Sequence, residues 1–284
     1  MKSLIIHIHC SDQIGIIFSF TKVLKEFSAN IMNLEQHVEP NDKHFFMRIH
    51  AEIPNKIKED TFIIEKLKDI AKDLGATVKF YDPEVLQRVA ILTTKEAVPL
   101  YDLLIKQKSK ELMCKIPILI SNHEIHGNIA KQFNIPFHYL PVTKESKSKQ
   151  EKDILDLCEN HKIDLIVLAR YMQILSDNFV NKYYGRIINI HHGFLPAFKG
   201  GLPYHQAWNR GVKIIGATAH YVTSDLDEGP IIEQDVSRVD HKQSIKDLIQ
   251  VGREIERRVL TSAVKSHLEH RIILNKNRTI IFHS

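Results

Sequence analysis

Polar groups able to move protons or stabilise charge gather in two short segments. The first is Arg186-Ile187-Ile188-Asn189-Ile190-His191-His192-Gly193-Phe194-Leu195-Pro196, an apolar strand opening into a loop. Side chains alternate across a strand, so Asn189 and His191 share one side near its carboxyl end. His191 brings an imidazole that is neutral or cationic near pH 7, and Asn189 an amide donor that stays neutral. The second is His220-Tyr221-Val222-Thr223-Ser224-Asp225-Leu226-Asp227-Glu228-Gly229-Pro230. It reads as an acidic loop between two apolar runs, with Gly229 able to take a positive φ and Pro230 starting the next run. Asp225, Asp227 and Glu228 repel one another unless one has a cationic or donor partner, and a histidine at a strand mouth supplies one. Plainer readings stay open: polar groups capping a strand end, and a solvated turn. A metal site of His191, His192, His220 and Asp227 fits the residue types, but nothing in the spacing requires it.

Other motifs fall away. No two of the 11 glycines are spaced as in G-x-G, so the nicotinamide Rossmann fingerprint is absent. Gly211 and Gly216 imitate a P-loop, but Ala217 stands where a lysine must reach the phosphates. His123-Glu124-Ile125-His126 is one residue short of the zincin spacing, and there is no G-x-S-x-G elbow.

Two domains are expected from 284 residues. With 43% hydrophobic and 26% charged residues, the chain can bury real cores. No apolar stretch reaches the ~18 residues of a membrane span, and MKSLIIHIHCSD lacks the form of a secretory signal. Cys10, Cys114 and Cys158 include no C-x-x-C pair, which suggests reduced thiols and a cytoplasmic setting. A net charge of +5 is too thin for a nucleic-acid footprint and suits an acidic small molecule better. The basic stretch Lys144 to Lys152 is interleaved with Glu, Ser and Gln and reads as a solvated loop entering a helix.

The elements that must position these residues follow from periodicity. Residues 3–10 read as a strand and 14–27 as a helix capped by Ser11 or Asp12. Strands at 30–39 and 43–53, a helix at 56–74 stopped by Gly75, and a strand at 76–81 complete βαββαβ, the split βαβ arrangement. Asp82-Pro83-Glu84 breaks the pattern, so the expected domains are 1–83 and 84–284. The second alternates strand and helix: 88–94, 96–109, 116–121, 124–132, 136–140, 147–161, 163–169, 175–184 and 186–190. That alternation predicts a mostly parallel sheet with helices on both faces. Strands at 213–222 and 230–237 and a helix at 243–269 follow. Ligands of such sheets bind at the carboxyl ends of strands, where Asn189 and His191 lie.

The segments VLARYMQILS, NIHHGFLPAFKG and GATAHYVTSDLDEGPII strongly resemble the catalytic motifs of the folate-dependent formyltransferase fold. In that family an N-x-H pair and an Asp seven residues after a T-x-H histidine form the catalytic trio, which maps onto Asn189, His191 and Asp227, with Thr218 and His220 opening the loop. The N-terminal unit resembles an ACT (ferredoxin-like) domain, whose D-x-x-G effector loop reads here Asp12-Gln13-Ile14-Gly15. ACT domain, Rossmann-like formyltransferase domain and terminal N-R-T-I-I-F together resemble the formyltetrahydrofolate deformylase family over essentially the whole chain.

The resemblance implies hydrolysis of 10-formyltetrahydrofolate to formate and tetrahydrofolate, supplying formate for purine synthesis and balancing one-carbon folate pools. It implies no cofactor and no metal. Asn189 and protonated His191 would donate to the oxyanion, and Asp227 would hold His191 and act as base toward water. The folate would contact Leu168, Arg170, Met172, Gln173, Leu175, His220, Thr223 and Asp225. Glycinamide ribonucleotide transferases of this fold carry a Gly-rich phosphate loop after the first strand. Here that place reads Thr93-Thr94-Lys95-Glu96-Ala97-Val98-Pro99, without glycine and with a carboxylate that would repel phosphate. The sequence departs from the deformylase pattern at Val98 and Pro99 (commonly His-Cys), Gly193 (Ser), and Gly201 and Leu202 (Ala-Lys). A homo-oligomer, dimer or tetramer, with an amino-acid effector is a further expectation. The competing readings are a formyltransferase acting on another amine and an inactive amino-acid sensor.

Overall fold

The structure is a computed structural model in which residues 2–54, 59–197 and 202–282 are described. The chain forms two units, one of residues up to Val85 with Glu269–Asn275 and Ile280–Ser284, the other of Leu86–Leu268 with Lys276–Thr279.

The first unit runs β1 (Lys2–Ser11), α1 (Ile16–Glu26), β2 (Asn30–Val38), β3 (His44–Ile53), α2 (Glu59–Asp73) and β4 (Thr77–Tyr81). Its four strands form an antiparallel sheet in the order β2-β3-β1-β4. Alternation drives the assembly: Leu4, Ile6, Ile8 and Cys10 of β1 meet Phe45, Met47 and Ile49 of β3 and the α1 stripe Ile16, Phe20, Val23 and Leu24. The expected start of α2 at 56 lies outside the described residues. Neither Ser11 nor Asp12 caps α1. Asp12 gives its amide to the Lys43 carbonyl at 2.7 Å, and the helix instead starts after Gly15, whose φ of 92° is the left-handed conformation glycine adopts without strain.

The second face of this sheet corrects the expected division at 83/84. Phe46 is buried there with Ile273, Ile280 and Phe282, and the His270 carbonyl accepts from His7 Nε2 and Arg48 Nε, each at 2.8 Å. The tail, a two-stranded hairpin of Ile272–Asn275 and Arg278–Ile281, therefore mostly joins the first unit instead of the second. Its apolar residues and the consecutive Phe45, Phe46 and Met47 of β3, buried on both sheet faces, are the physical reason.

The second unit runs β5 (Gln87–Thr93), α3 (Val98–Lys108), β6 (Cys114–Ser121), a 3₁₀ turn (Glu124–His126), α4 (Gly127–Gln132), β7 (Phe137–Tyr139), α5 (Lys147–Asn160), β8 (Leu165–Ala169), α6 (Asp177–Lys182), β9 (Ile187–His191), α7 (Pro203–Asn209), β10 (Ile214–Tyr221), β11 (Ile231–Arg238) and α8 (Ile245–Leu268). Strand order is β11-β10-β9-β8-β5-β6-β7. The pairs from β9 to β7 are parallel, and β10 is antiparallel to both its neighbours. Every residue of β8 is buried, as expected of a strand covered on both faces. The chain leaves central β5 toward β6 and β7, then returns to build β8 and β9 on the other side. That reversal makes a crevice at the carboxyl ends of β5 and β8. Helix α7 was not expected; it is short, and Pro203 starts it after Leu202 at φ 56°.

Candidate active site

Two connections meet at the carboxyl ends of β8 and β9, the segment after β8 and the turn after β9, and the β10–β11 loop, which leaves antiparallel β10 beside Ile187, folds back to join them. They line a cavity of about 220 Å³ whose walls include Asn189, His191, His220 and Asp227. Register does the placing. Asn189 pairs with His220, and His191 with Thr218, across β9 and β10. His191 is buried and its Nδ1 lies 3.2 Å from Asp227 Oδ2; His220 Nε2 lies 3.8 Å from Asp227 Oδ1.

The His220 tautomer follows from its partners. Nδ1 faces the Tyr221 carbonyl at 2.9 Å, and because a carbonyl only accepts, Nδ1 carries the hydrogen. Burial lowers the His220 pKa, so the ring is neutral and Nε2 accepts from the Asn189 amide at 3.3 Å. His192 is pushed down to about 3, first by burial and then by the Arg170 and His191 charges.

Asp227 reaches the strand mouth because its loop folds back tightly. Tyr221 N–H donates to the Pro230 carbonyl at 2.9 Å, Glu228 N–H to the Asp225 carbonyl at 3.3 Å, and Thr223 Oγ1 to the same carbonyl at 3.2 Å. Asp227 itself sits at φ 57°, a conformation Asp tolerates better than most residues. Gly229 has a different task from the expected one. It does not take a positive φ; a Cβ there would overlap the Tyr221 carbonyl. Thr218 Oγ1 donates to the Gly193 carbonyl at 2.9 Å and accepts from Leu195 N–H and Gln234 Nε2 at 3.0 and 2.9 Å, fixing the turn after His191. Phe198 to Gly201 of that motif lie outside the described residues.

This arrangement can hold a proton between an imidazole and a carboxylate beside an oriented amide, which suits addition to a carbonyl. Residues 87–264 match the formyl transferase family model. Proteins described as formyltetrahydrofolate deformylases from Synechocystis sp. and Bacillus subtilis are 46% and 45% identical, covering 97% of this chain and 96% and 92% of theirs. The chain belongs to the formyltetrahydrofolate deformylases. A solved structure, the formyltetrahydrofolate deformylase from Pseudomonas syringae pv. tomato, superposes with a TM-score of 0.95 at 38% identity over 100% of this chain and 95% of that one.

Of the other residues named from sequence, Leu168, Arg170, Met172, Gln173, Leu175, Thr223 and Asp225 line the same cavity. Leu168 and Leu175 are buried and Met172 is exposed; Met172 N–H bonds Thr94 Oγ1 at 3.0 Å, tying the wall to β5. Asp12, Gln13 and Gly15 lie in the first unit, where Gln13 Nε2 donates to the Leu74 carbonyl at 2.8 Å and Ile14 is fully exposed. Val98 and Pro99 open α3, the Gly193 carbonyl is taken by Thr218, and Leu202 is exposed. Sequence reasoning missed Tyr204 and Glu256. The signal was present for Glu256, a carboxylate within the α8 core stripe of Leu248, Gly252, Ile255, Val259 and Ala263, where charge is rare unless paired.

Proposed function

We propose that this deformylase-family protein hydrolyses 10-formyltetrahydrofolate to formate and tetrahydrofolate at the cavity around His191. The observation that carries the reading is the 3.2 Å approach of His191 Nδ1 to Asp227 in a cavity shared with Asn189. The formyl group is amide-like, so water must be deprotonated as the carbonyl oxygen gains charge. Protonated His191 and the Asn189 amide donate to that oxygen, each contact worth roughly 10²–10³ in rate. Asp227 stabilises the imidazolium and takes the proton from water, and the proton then passes to the departing nitrogen. The pterin lies along Leu168, Arg170, Met172, Gln173 and Leu175, facing Thr223 and Asp225. The chain's own groups suffice for these steps without a metal or cofactor.

Water is the nucleophile in this reading. Glu96, where a phosphate-binding loop stands in transferases, pairs with Arg253 at 2.9 Å, which favours hydrolysis over transfer to a phosphorylated amine. Purified protein should release formate from 10-formyltetrahydrofolate with no amine present. Strict dependence on an added amine would favour the transferase reading, and inertness under both conditions the sensor reading.

The antiparallel βαββαβ unit is read as an ACT domain, with Asp12, Gln13 and Gly15 on its effector loop and pairing of such units making a dimer or tetramer. The setting is the cytoplasm, where released formate feeds purine synthesis and free folate is replenished. Sedimentation of a monomer at micromolar concentration would contradict the oligomer.

A further inference from the structure

Tyr221 ends β10, and three features of the site depend on its backbone. Its carbonyl accepts the His220 Nδ1–H at 2.9 Å, its N–H donates to the Pro230 carbonyl at 2.9 Å, and a Cβ on Gly229 would overlap its carbonyl oxygen. The first contact fixes the His220 tautomer, and with it the Nε2 acceptor that meets the Asn189 amide at 3.3 Å. A shift of the Tyr221 carbonyl is therefore passed on to Asn189.

The strand ladder alone does not hold this carbonyl. The β10–β11 register shifts between Ala219 and His220, an irregularity of the kind that bends a strand and leaves a residue unpaired. A second anchor stands on the other face of the sheet. Side chains alternate along β10, so Tyr221 points away from His220, and it is buried. Its hydroxyl and Nδ1 of His267, in the last turn of α8, share a hydrogen at 2.7 Å, and the two rings meet edge to face with centroids 5.8 Å apart. Helix α8 is itself tied to β11, where Ser262 Oγ donates to Glu233 Oε2 at 2.8 Å and Arg258 pairs with Asp235. His267 thus gives Tyr221 a fixed reference on α8 instead of on the cavity wall.

We infer that His267 is a positioning residue for the hydrolysis: acting through Tyr221, it holds the carbonyl that gives His220 its Nδ1–H tautomer and so orients the Asn189 amide. The inference deepens the proposed function and rests on Asn189 as a donor in that reaction. The effect of His267 passes through three successive hydrogen bonds, of 2.7, 2.9 and 3.3 Å, to Tyr221, His220 and Asn189.

The test combines two measurements on the full chain. The ¹⁵N spectrum of histidine-labelled protein, with His220 assigned by its loss in His220→Gln, shows which ring nitrogen carries the hydrogen and needs no turnover. Steady-state formate release from 10-formyltetrahydrofolate gives kcat and KM. His267→Leu should let His220 populate both tautomers and lower kcat about 10-fold, less than the roughly 10²–10³ of a donor removed outright, with KM within about twofold of the parent. Tyr221→Phe removes only the hydroxyl and should do the same. The double variant should be no slower than the slower single one, because both changes break one contact. His267→Gln keeps a hydrogen-bonding group for the hydroxyl and should restore the single tautomer and most of kcat.

A folded His267→Leu protein with the parent tautomer at His220, or with kcat unchanged, overturns the inference. Equal impairment of His267→Gln, which assigns the effect to packing, overturns it too. Should His267→Leu not fold, Tyr221→Phe carries the same test, and an unmoved His220 tautomer in that variant overturns the inference. A parent that releases no formate sinks the hydrolysis reading separately, while the tautomer comparison still decides whether His267 sets His220.

Discussion

His220 accepts the Asn189 amide N–H at 3.3 Å while giving its own Nδ1–H to the Tyr221 carbonyl at 2.9 Å. The amide of Asn189 cannot choose its orientation freely, because only its nitrogen can serve the neutral His220 acceptor. His220 therefore sets the orientation in which Asn189 would meet the substrate carbonyl of the proposed reaction.

Replacing His220 with leucine removes that acceptor without adding charge. The expected outcome is a fall in kcat of roughly 10²-fold, the worth of one misdirected donor. His220→Gln restores an acceptor oxygen and should recover part of the loss. Steady-state formate release by both variants checks this, and equal impairment would show that orientation is not the role of His220.

Asp227→Asn separates chemistry from folding. Asn tolerates a left-handed backbone as Asp does, and Asp227 sits at φ 57°, so thermal stability should change little. The rate should fall by at least ~10² because, in the proposed mechanism, the base toward water and the partner of His191 are lost together. A variant that is fully folded and nearly as fast as the parent would remove Asp227 from the mechanism.

Much of this was legible in the sequence because it is periodic or local. Alternation in 3–10 and the apolar run before Ala169 predicted β1 and β8, and the strand period placed Asn189 and His191 on one side. The convergence of Asp227 on His191 was available only through family resemblance, since it depends on the β9–β10 register and local spacing does not encode pairing. The tail was misassigned for the same reason: nothing near Ile273 or Phe282 says that Phe46, more than two hundred residues earlier, will cover them. Gly229 was identified as special for the wrong cause, conformational freedom instead of a close approach by the Tyr221 carbonyl. Capping by Ser11 or Asp12 failed because β1 runs on through Ser11 and the Asp12 amide is claimed by Lys43.

Gly229→Ala tests the tight return of the loop. The added methyl meets the Tyr221 carbonyl and approaches His220 Nδ1 to 3.3 Å, so the strand and the loop must part. Asp227, two residues away, is drawn off His191. Activity is expected to drop by at least ~10² together with a loss of about 1–3 kcal/mol in stability, the usual cost of overpacking. Preserved activity would mean that the loop closes without this contact.

Acid stability should be set in part by two histidines of the first unit. Burial pushes His7 and His270 down to about 4 from the ordinary 6.5, the His270 carbonyl opposing the shift of His7 and Arg48 adding to that of His270. Folded pKa values below the unfolded ones mean that the unfolded chain takes up protons first. Stability from these groups is therefore complete above about pH 6.5 and is lost as pH falls toward 4, where the loss levels off. Within that window each costs about 1.4 kcal/mol per pH unit. Urea unfolding of the full chain at pH 7, 6 and 5 measures the slope. His7→Gln keeps an N–H for the His270 carbonyl but cannot titrate, so it should remove about half of the contribution from this pair. An unchanged slope in that variant would place the acid sensitivity elsewhere.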